Sequence, residues 1–233
     1  MGRGWIMLRQ TFERELQRLQ DEVLVLGSMV ESAVSASVDM LKRRDLEGSR
    51  RIIAGDLKIN EKRFAIEMEC LTLIATQQPM AGDLRIIAGV LEIVTELERI
   101  GDYAKGIAKI NLLIGDQPLL KPLIDIPRMA DKALDMLHRA LGAFVRQDVE
   151  MARAIPLEDV EVDALYKQVE RELLTIIMND PTTIDRANYL LWAAHNLERA
   201  ADRVTNICER TVYTATGQLM EFAPSDDEIV APL

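Results

Sequence analysis

Aromatic residues are scarce here, only 4% of 233 positions, while Leu, Ile, Ala, Glu and Arg abound. That balance favours helices over sheets, and no segment keeps the period-two alternation of a half-buried strand. Cysteine is almost absent. Cys70 and Cys208 lie far apart with no CxxC, which fits a reducing compartment and argues against a thiolate zinc site. Positive charge is in deficit, 28 Lys and Arg against 38 Asp and Glu for a net charge of −10. This excludes a nucleic-acid binder that works through a basic footprint and suits a protein that attracts cations or basic partners. The opening MGRGWIM has no apolar signal-peptide core. The longest run without charge, Cys70 to Gly82, is 13 residues long and contains Pro79. A bilayer span takes about 20 apolar residues, so the expectation is a cytoplasmic chain without a transmembrane segment. There is also no Gly-rich phosphate loop, no GxSxG and no HExxH. With no nucleophile–base pair to name, the expectation is a protein that is not an enzyme.

Apolar residues are plentiful, at 48%, enough for a sizeable core. Phe12, Leu16, Leu19, Val23, Leu26, Val30, Val34, Val38 and Leu41 step by three and four, the mark of a long amphipathic helix. A leader at 1–5 is expected to fray, and Gly27 inside the helix costs about 1 kcal/mol. A second helix is predicted over 46–76, with Ile52, Ile59, Ile66 and Leu73 as a seven-residue seam. QQPMAG, 77–82, stops it, and a third helix runs over 83–114. After a linker at 115–122 the pattern recurs: helices over 127–146, 156–178 and 184–216, with NDP at 179–181 as the second turn. Pro156 suits a first helical turn.

The two halves match in detail. Arg44-Asp45-Leu46 and Asp56-x3-Asn60 correspond to Gln147-Asp148-Val149 and Asp159-x3-Asp163 at one constant offset. Glu98-x3-Asp102 corresponds to Glu198-x3-Asp202 at an offset three smaller, so the second turn is expected to be shorter. Internal repeats of this kind define architecture. The fold expected is all-α: two tandem, similar three-helix bundles of six long helices, over 6–118 and 123–218, with a disordered acidic tail at 219–233.

Acids four apart share a helix face and repel by a few tenths of a kcal/mol (~0.3). A chain that places them so twice, in matching context, has a cation to offer them to. Folding the second and third helices into an antiparallel hairpin at Pro79 sets Asp56 and Asn60 level with Glu98 and Asp102. A fold at Pro181 sets Asp159 and Asp163 level with Glu198 and Asp202. Glu98 follows Leu84 and Leu91, and Glu198 follows Ile184 and Leu191, at sevens, so each acid interrupts an apolar seam where it is expensive unless paired or metal-bound. Such oxygen clusters suit hard cations: Mg, Ca, Mn or iron. The plainer alternatives are that these acids are solvated faces, or that Arg99 and Arg199 form ion pairs with neighbouring acids. His195 and His138 read as structural, and the eleven Met as packing.

GDLKINE (55–61), QQPMAGDLR (77–85), LERIGDYAKGIA (97–108) and LERAADRVTNICER (197–210) together resemble the PhoU family of bacterial phosphate-signalling regulators. The resemblance spans about 8–217. It implies two similar three-helix bundles whose acid-x3-acid motifs hold, in some members, multinuclear iron or zinc. By position these map to Glu98, Asp102, Glu198 and Asp202, with Asp56, Asn60, Asp159 and Asp163 facing them; failing iron or zinc, Mn or Mg is expected. The motif of the second half departs at Ala201, where Gly is usual, and at Arg203, where His is frequent. A guanidinium there competes with a cation, so the first site is expected to bind more tightly. The implied function is negative regulation of phosphate uptake and of the phosphate-starvation response. The implied partners are the ATPase of the phosphate ABC transporter and a phosphate-sensing histidine kinase, and a homodimer is the expected assembly. The alternatives from other classes are a metal-dependent all-α hydrolase or oxidase and a purely structural helical adaptor.

Overall fold

The computed structural model describes residues 2–222, and their side chains from residue 10 onward. It contains six long helices and one short one: α1 (Gly2–Arg43), α2 (Leu46–Gln77), α3 (Ala81–Ile114), α4 (Asp125–Arg146), α5 (Val149–Ala154), α6 (Asp159–Asn179) and α7 (Ile184–Thr216). No strand occurs among the described residues. The leader expected at 1–5 is helical from Gly2, and most of the tail expected at 219–233 lies outside the described residues.

The repeat is visible at the same point of each half. Arg44 and Gln147 both take a left-handed conformation, with φ of 60° and 54°. The next N–H then reaches back six-to-one, Asp45 to the Met40 carbonyl and Asp148 to the Ala143 carbonyl, each at 2.9 Å. Asp45 and Asp148 cap the following helices by accepting from Gly48 N–H and Met151 N–H. Downstream the halves diverge. In the second, the helix expected over 156–178 is split into α5, a 3-10 turn over Ile155–Glu158, and α6. Pro156 is the cause, since it has no N–H to give and its ring crowds the carbonyl four residues back. The second turn is not shortened: Asp180 and a 3-10 turn, Pro181–Thr183, replace the first turn of the third helix. The deficit of three falls on the arm of α7 instead.

Within each bundle the seams behave as their spacing demands. Ile59, Ile66 and Leu73 bury one face of α2, and Leu19, Val23, Leu26 and Val30 one face of α1. The stretch Gln10–Arg43 of α1 is long and apolar enough, by length and composition, to cross a membrane, which a search for charge-free runs overlooks; in the fold its apolar face is the core of the first bundle. The other expected seam is corrected. Leu84 and Ile184 are 43% and 48% exposed, so each seam opens on a half-exposed residue, and only further along, at Leu91 and Leu191, does it pack against the core; Glu98 is half-buried and Glu198 buried. Cys70 and Cys208 are free and buried, and burial pushes both thiols up to about 12.

The two bundles share one continuous core. They meet through α1 against α4 and, most extensively, α3 against α7, leaving α2 and α6 on the outside. The close approaches are made at glycine. A Cβ on Gly27 would fall 2.2 Å from Leu141 Cδ1, and one on Gly89 would fall 2.3 Å from Thr214 Cγ2. Gly55, by contrast, faces open space. Replacing Gly89 by Val is expected to cost about 1–3 kcal/mol in urea unfolding, through overpacking, whereas Gly55→Ala is expected to gain about 0.5–1 kcal/mol through helix propensity.

Candidate metal centres

The acidic motifs sit where the hairpin geometry puts them. In the first bundle α2 and α3 run antiparallel, and Asp56 and Asn60 share a level with Asp102. A cation is already supplied there by the chain itself. Lys105 Nζ donates to Asp56 Oδ2 at 2.6 Å and to Asp102 Oδ1 at 3.4 Å. Asn60 Nδ2 also donates to Asp56 Oδ2, at 3.2 Å. Asp56 Oδ1 is buried without a hydrogen-bond partner. Burial, then the charge of Asp102, raises the Glu98 carboxyl above its ordinary range, with Arg63 opposing. Lys105 itself is raised, chiefly by its hydrogen bond to Asp56. Lys105 is the member that sequence reasoning missed. Its signal was present: in DYAK it stands three residues after Asp102, one helical turn along the same face.

In the second bundle the balance differs. Asp159 opens α6 and meets Asp202 of α7. Burial, then the charges of Asp202 and Asp163, raises the Asp159 carboxyl to about 7. Asp159 Oδ1 is buried without a hydrogen-bond partner. Glu198, 7% exposed, has His195 Nδ1 at 3.1 Å, and the His195 ring lies 6.0 Å from that of Tyr166 on α6. Arg199 Nη1 is 3.4 Å from Asp202 Oδ2 and is hydrogen-bonded to Tyr103 of α3. The pairings foreseen with neighbouring acids are therefore present for both arginines, Arg199 with Asp202 and Arg99 with Glu96, the latter at 2.9 Å.

The competition expected from Arg203 does not occur at this site. Arg203 reaches across to α3, where its Nη1 is 3.4 Å from Glu96 Oε2, and Asn206 joins the same carboxylate at 3.1 Å. What fixes the position of Asp159 is the turn before it. Arg139 donates to both oxygens of Glu158 at 2.7 Å, and Lys132 donates to one of them at 2.7 Å. The Arg139 bonds hold the Glu158 carboxyl down at about 2. The 3-10 turn forced by Pro156 is thus clamped to α4.

Hard oxygen donors are present in both clusters, and each has an orphaned buried carboxylate oxygen, which is the kind of atom a cation satisfies. Among the described residues, no three Asp, Glu, His or Cys side chains already converge on one point as a finished metal centre. A cation would have to draw the carboxylates inward, and in the first cluster it would also have to displace Lys105.

Comparison with known proteins gives a consistent picture. The PhoU domain family matches residues 23–110 and 126–211. The chain is 35% identical over 208 residues to the phosphate-specific transport system accessory protein PhoU homolog of Aquifex aeolicus, covering 89% of this chain and 94% of that one. It is 34% identical over 216 residues to the phosphate-specific transport system accessory protein PhoU of Escherichia coli strain K12, covering 93% and 90%. The crystal structure of the phosphate transport system regulatory protein PhoU from Streptococcus pneumoniae superposes with a TM-score of 0.84 at 33% identity, over 91% of this chain and all of that one.

The raised Asp159 carboxyl makes stability depend on pH. Its folded value of about 7 lies above the ordinary one of 3.8, so between these values the folded state holds a proton that the unfolded chain has lost. Stability therefore falls as pH rises through that window. In protein stripped of divalent ions by chelation, Asp159→Asn is expected to flatten the Tm-versus-pH curve between about pH 4 and 7 and to be more stable than wild type at pH 8, by on the order of 2 kcal/mol. Glu158→Gln should instead cost about 1–3 kcal/mol at pH 7, since it weakens the three charge-assisted bonds from Arg139 and Lys132.

Proposed function

The chain belongs to the PhoU family, and on that premise we propose that it is a cytoplasmic negative regulator of phosphate uptake and of the phosphate-starvation response. It acts by docking on other proteins, the ATPase of the phosphate ABC transporter and a phosphate-sensing histidine kinase, and not by turning over a substrate. The observation that carries this reading is the match of both halves to one family whose curated relatives are named as accessory proteins of phosphate-specific transport. The shape of the molecule supports it. An open surface groove of about 420 Å³ lies between α1 and α2 beside Ser28, Gly55 and Lys58. Long helices offer broad faces for recognition.

The acidic clusters are the regulated part of that surface. Asp159, Asp163, Glu198 and Asp202 would hold a hard or borderline cation, iron or zinc and otherwise Mn or Mg. Repulsion among these acids and the orphaned Asp159 oxygen support that assignment. Asp56, Asn60, Glu98 and Asp102 form the weaker site, because Lys105 bridges two of its acids, whereas in the second cluster Arg199 meets Asp202 alone and leaves Asp159 to the like charges around it. This reverses the order expected from Arg203 alone. A bound divalent ion would neutralise several acids at once and change the field that a partner meets.

Deletion of the gene in the source cell is expected to leave phosphate-scavenging genes switched on in phosphate-rich medium, and pull-downs from that medium should recover the transporter ATPase or the kinase. Normal repression after deletion, together with measurable turnover of a phosphate ester by purified protein, would overturn the reading. For the metal, Asp159→Ala with Asp202→Ala should remove more bound Mn, read by equilibrium dialysis, than Glu98→Ala with Asp102→Ala. The opposite order would restore the ranking based on Arg203.

A further inference from the structure

Glu96 lies outside both acidic motifs, yet it holds an arginine from each. Its Oε1 accepts from Arg99 Nη1 at 2.9 Å, one turn along α3. Its Oε2 takes Arg203 Nη1 at 3.4 Å and Asn206 Nδ2 at 3.1 Å, both from α7. The Glu96 side chain is only 12% exposed, a burial that an acid tolerates when cations and donors surround it. The repeat supplies an internal comparison. At the offset that relates Glu98 to Glu198, the counterpart of Glu96 is Asn196, that of Arg99 is Arg199 and that of Asn206 is Gly106. Asn196 has no charge to offer. Its Nδ2 donates to the Trp192 carbonyl at 2.9 Å, and its amide lies against Gly106. In that half the motif arginine turns the other way: Arg199 Nη1 stands 3.4 Å from Asp202 Oδ2, three residues on. Arg99 also has an acid three residues on, Asp102, but the ion pair of Asp102 is with Lys105. The same arginine, in two copies of one motif, takes opposite directions, and what differs one turn before it is a carboxylate against an amide.

We propose that the residue three before the motif arginine, Glu96 or Asn196, decides whether that arginine covers the motif aspartate and so, on the reading of the clusters as cation sites, sets how readily each takes up a divalent ion. A guanidinium three residues from a carboxylate on one helix is within reach of it, and a fixed cation there must be displaced before a metal ion can bind. Glu96 is largely buried and Asp102 half exposed, and a charge away from water holds a counter-ion more strongly, so Arg99 goes to Glu96. A hydrogen bond to a neutral amide is about half as strong as a charge-assisted one, so Asn196 leaves Arg199 to Asp202. Tyr103, the counterpart of Arg203, is hydrogen-bonded to Arg199 without offering it a charge. Glu96 acts through its arginine and is a positioning residue, not a ligand.

Double-mutant cycles on protein stripped of divalent ions by chelation read the arginines without any metal. Urea unfolding of the wild type should show coupling between Arg199→Gln and Asp202→Asn, about twofold or more in the unfolding constant, and none between Arg99→Gln and Asp102→Asn. Asn196→Glu should abolish the first coupling, and Glu96→Asn should create the second. Glu96→Asn is made together with Arg203→Gln, so that the seam keeps no buried guanidinium without its acid. All variants should keep the wild-type helical circular dichroism. Equilibrium dialysis with Mn reads the consequence. With Glu98→Ala and Asp102→Ala in place, so that only the second cluster binds, Asn196→Glu should tighten Mn by about threefold or more. With Asp159→Ala and Asp202→Ala in place, Glu96→Asn with Arg203→Gln should weaken Mn by a similar factor. Adding Arg99→Gln should then restore it, which a mere loss of packing would not allow. Couplings that stay put in the exchanged variants overturn the proposal, and so does an Mn affinity that ignores couplings that have moved. A wild type that takes no Mn in either cluster, with couplings that do move, would instead overturn the reading of the clusters as cation sites and leave the placing of the arginines standing.

Discussion

The antiparallel packing of α3 on α7 is the contact on which the rest of this molecule depends. It joins two bundles that could otherwise stand apart, and it does so at close range because glycine and small polar residues line it. Gly89 lies under Thr214 and Gly106 under Asn196. The seam is also charged. Glu92 pairs with Arg210 at 2.8 Å, and Glu96 gathers Arg203 and Asn206. A seam of this composition is tight without being wholly apolar, so its strength rests on matched partners more than on buried area.

That seam sets the electrostatics of both acidic clusters. Arg99 and Arg203 stand beside the motif acids in sequence, yet both spend their charge on Glu96. The second cluster is left with Asp159, Asp163 and Asp202 close enough to keep a proton on Asp159 near neutral pH. The first cluster escapes the same fate because Lys105, on the α2 side of α3, bridges Asp56 and Asp102. Two motifs that look alike in sequence thus differ in charge state, and the difference comes from neighbours outside each motif.

The arrangement suits an accessory role. Central helices are committed to the shared core, the acidic clusters lie along the α2/α3 and α6/α7 hairpins, and the outer faces of α2 and α6 remain available. Surfaces of two characters, acidic and apolar, are presented by one helical frame, with glycine reserved for the close contacts inside it.

Much of this was legible in the sequence. The three-and-four steps of α1, the seven-residue seam of α2 and the duplicated Arg/Gln-Asp-Leu/Val segment predict helices, bundles and repeat, because local hydrophobic period acts over a few residues. Hairpin arithmetic from Pro79 and Pro181 predicts which acids share a level. Tertiary structure decided the rest. Pro156 splits one helix, but only the clamp of Glu158 by Arg139 and Lys132 fixes where Asp159 stands. Arg203 reads in sequence as a rival for a metal, yet its partner, Glu96, is more than one hundred residues away. Which charges neutralise one another depends on distances across the bundle interface, and a linear chain carries no record of those distances until the helices pack.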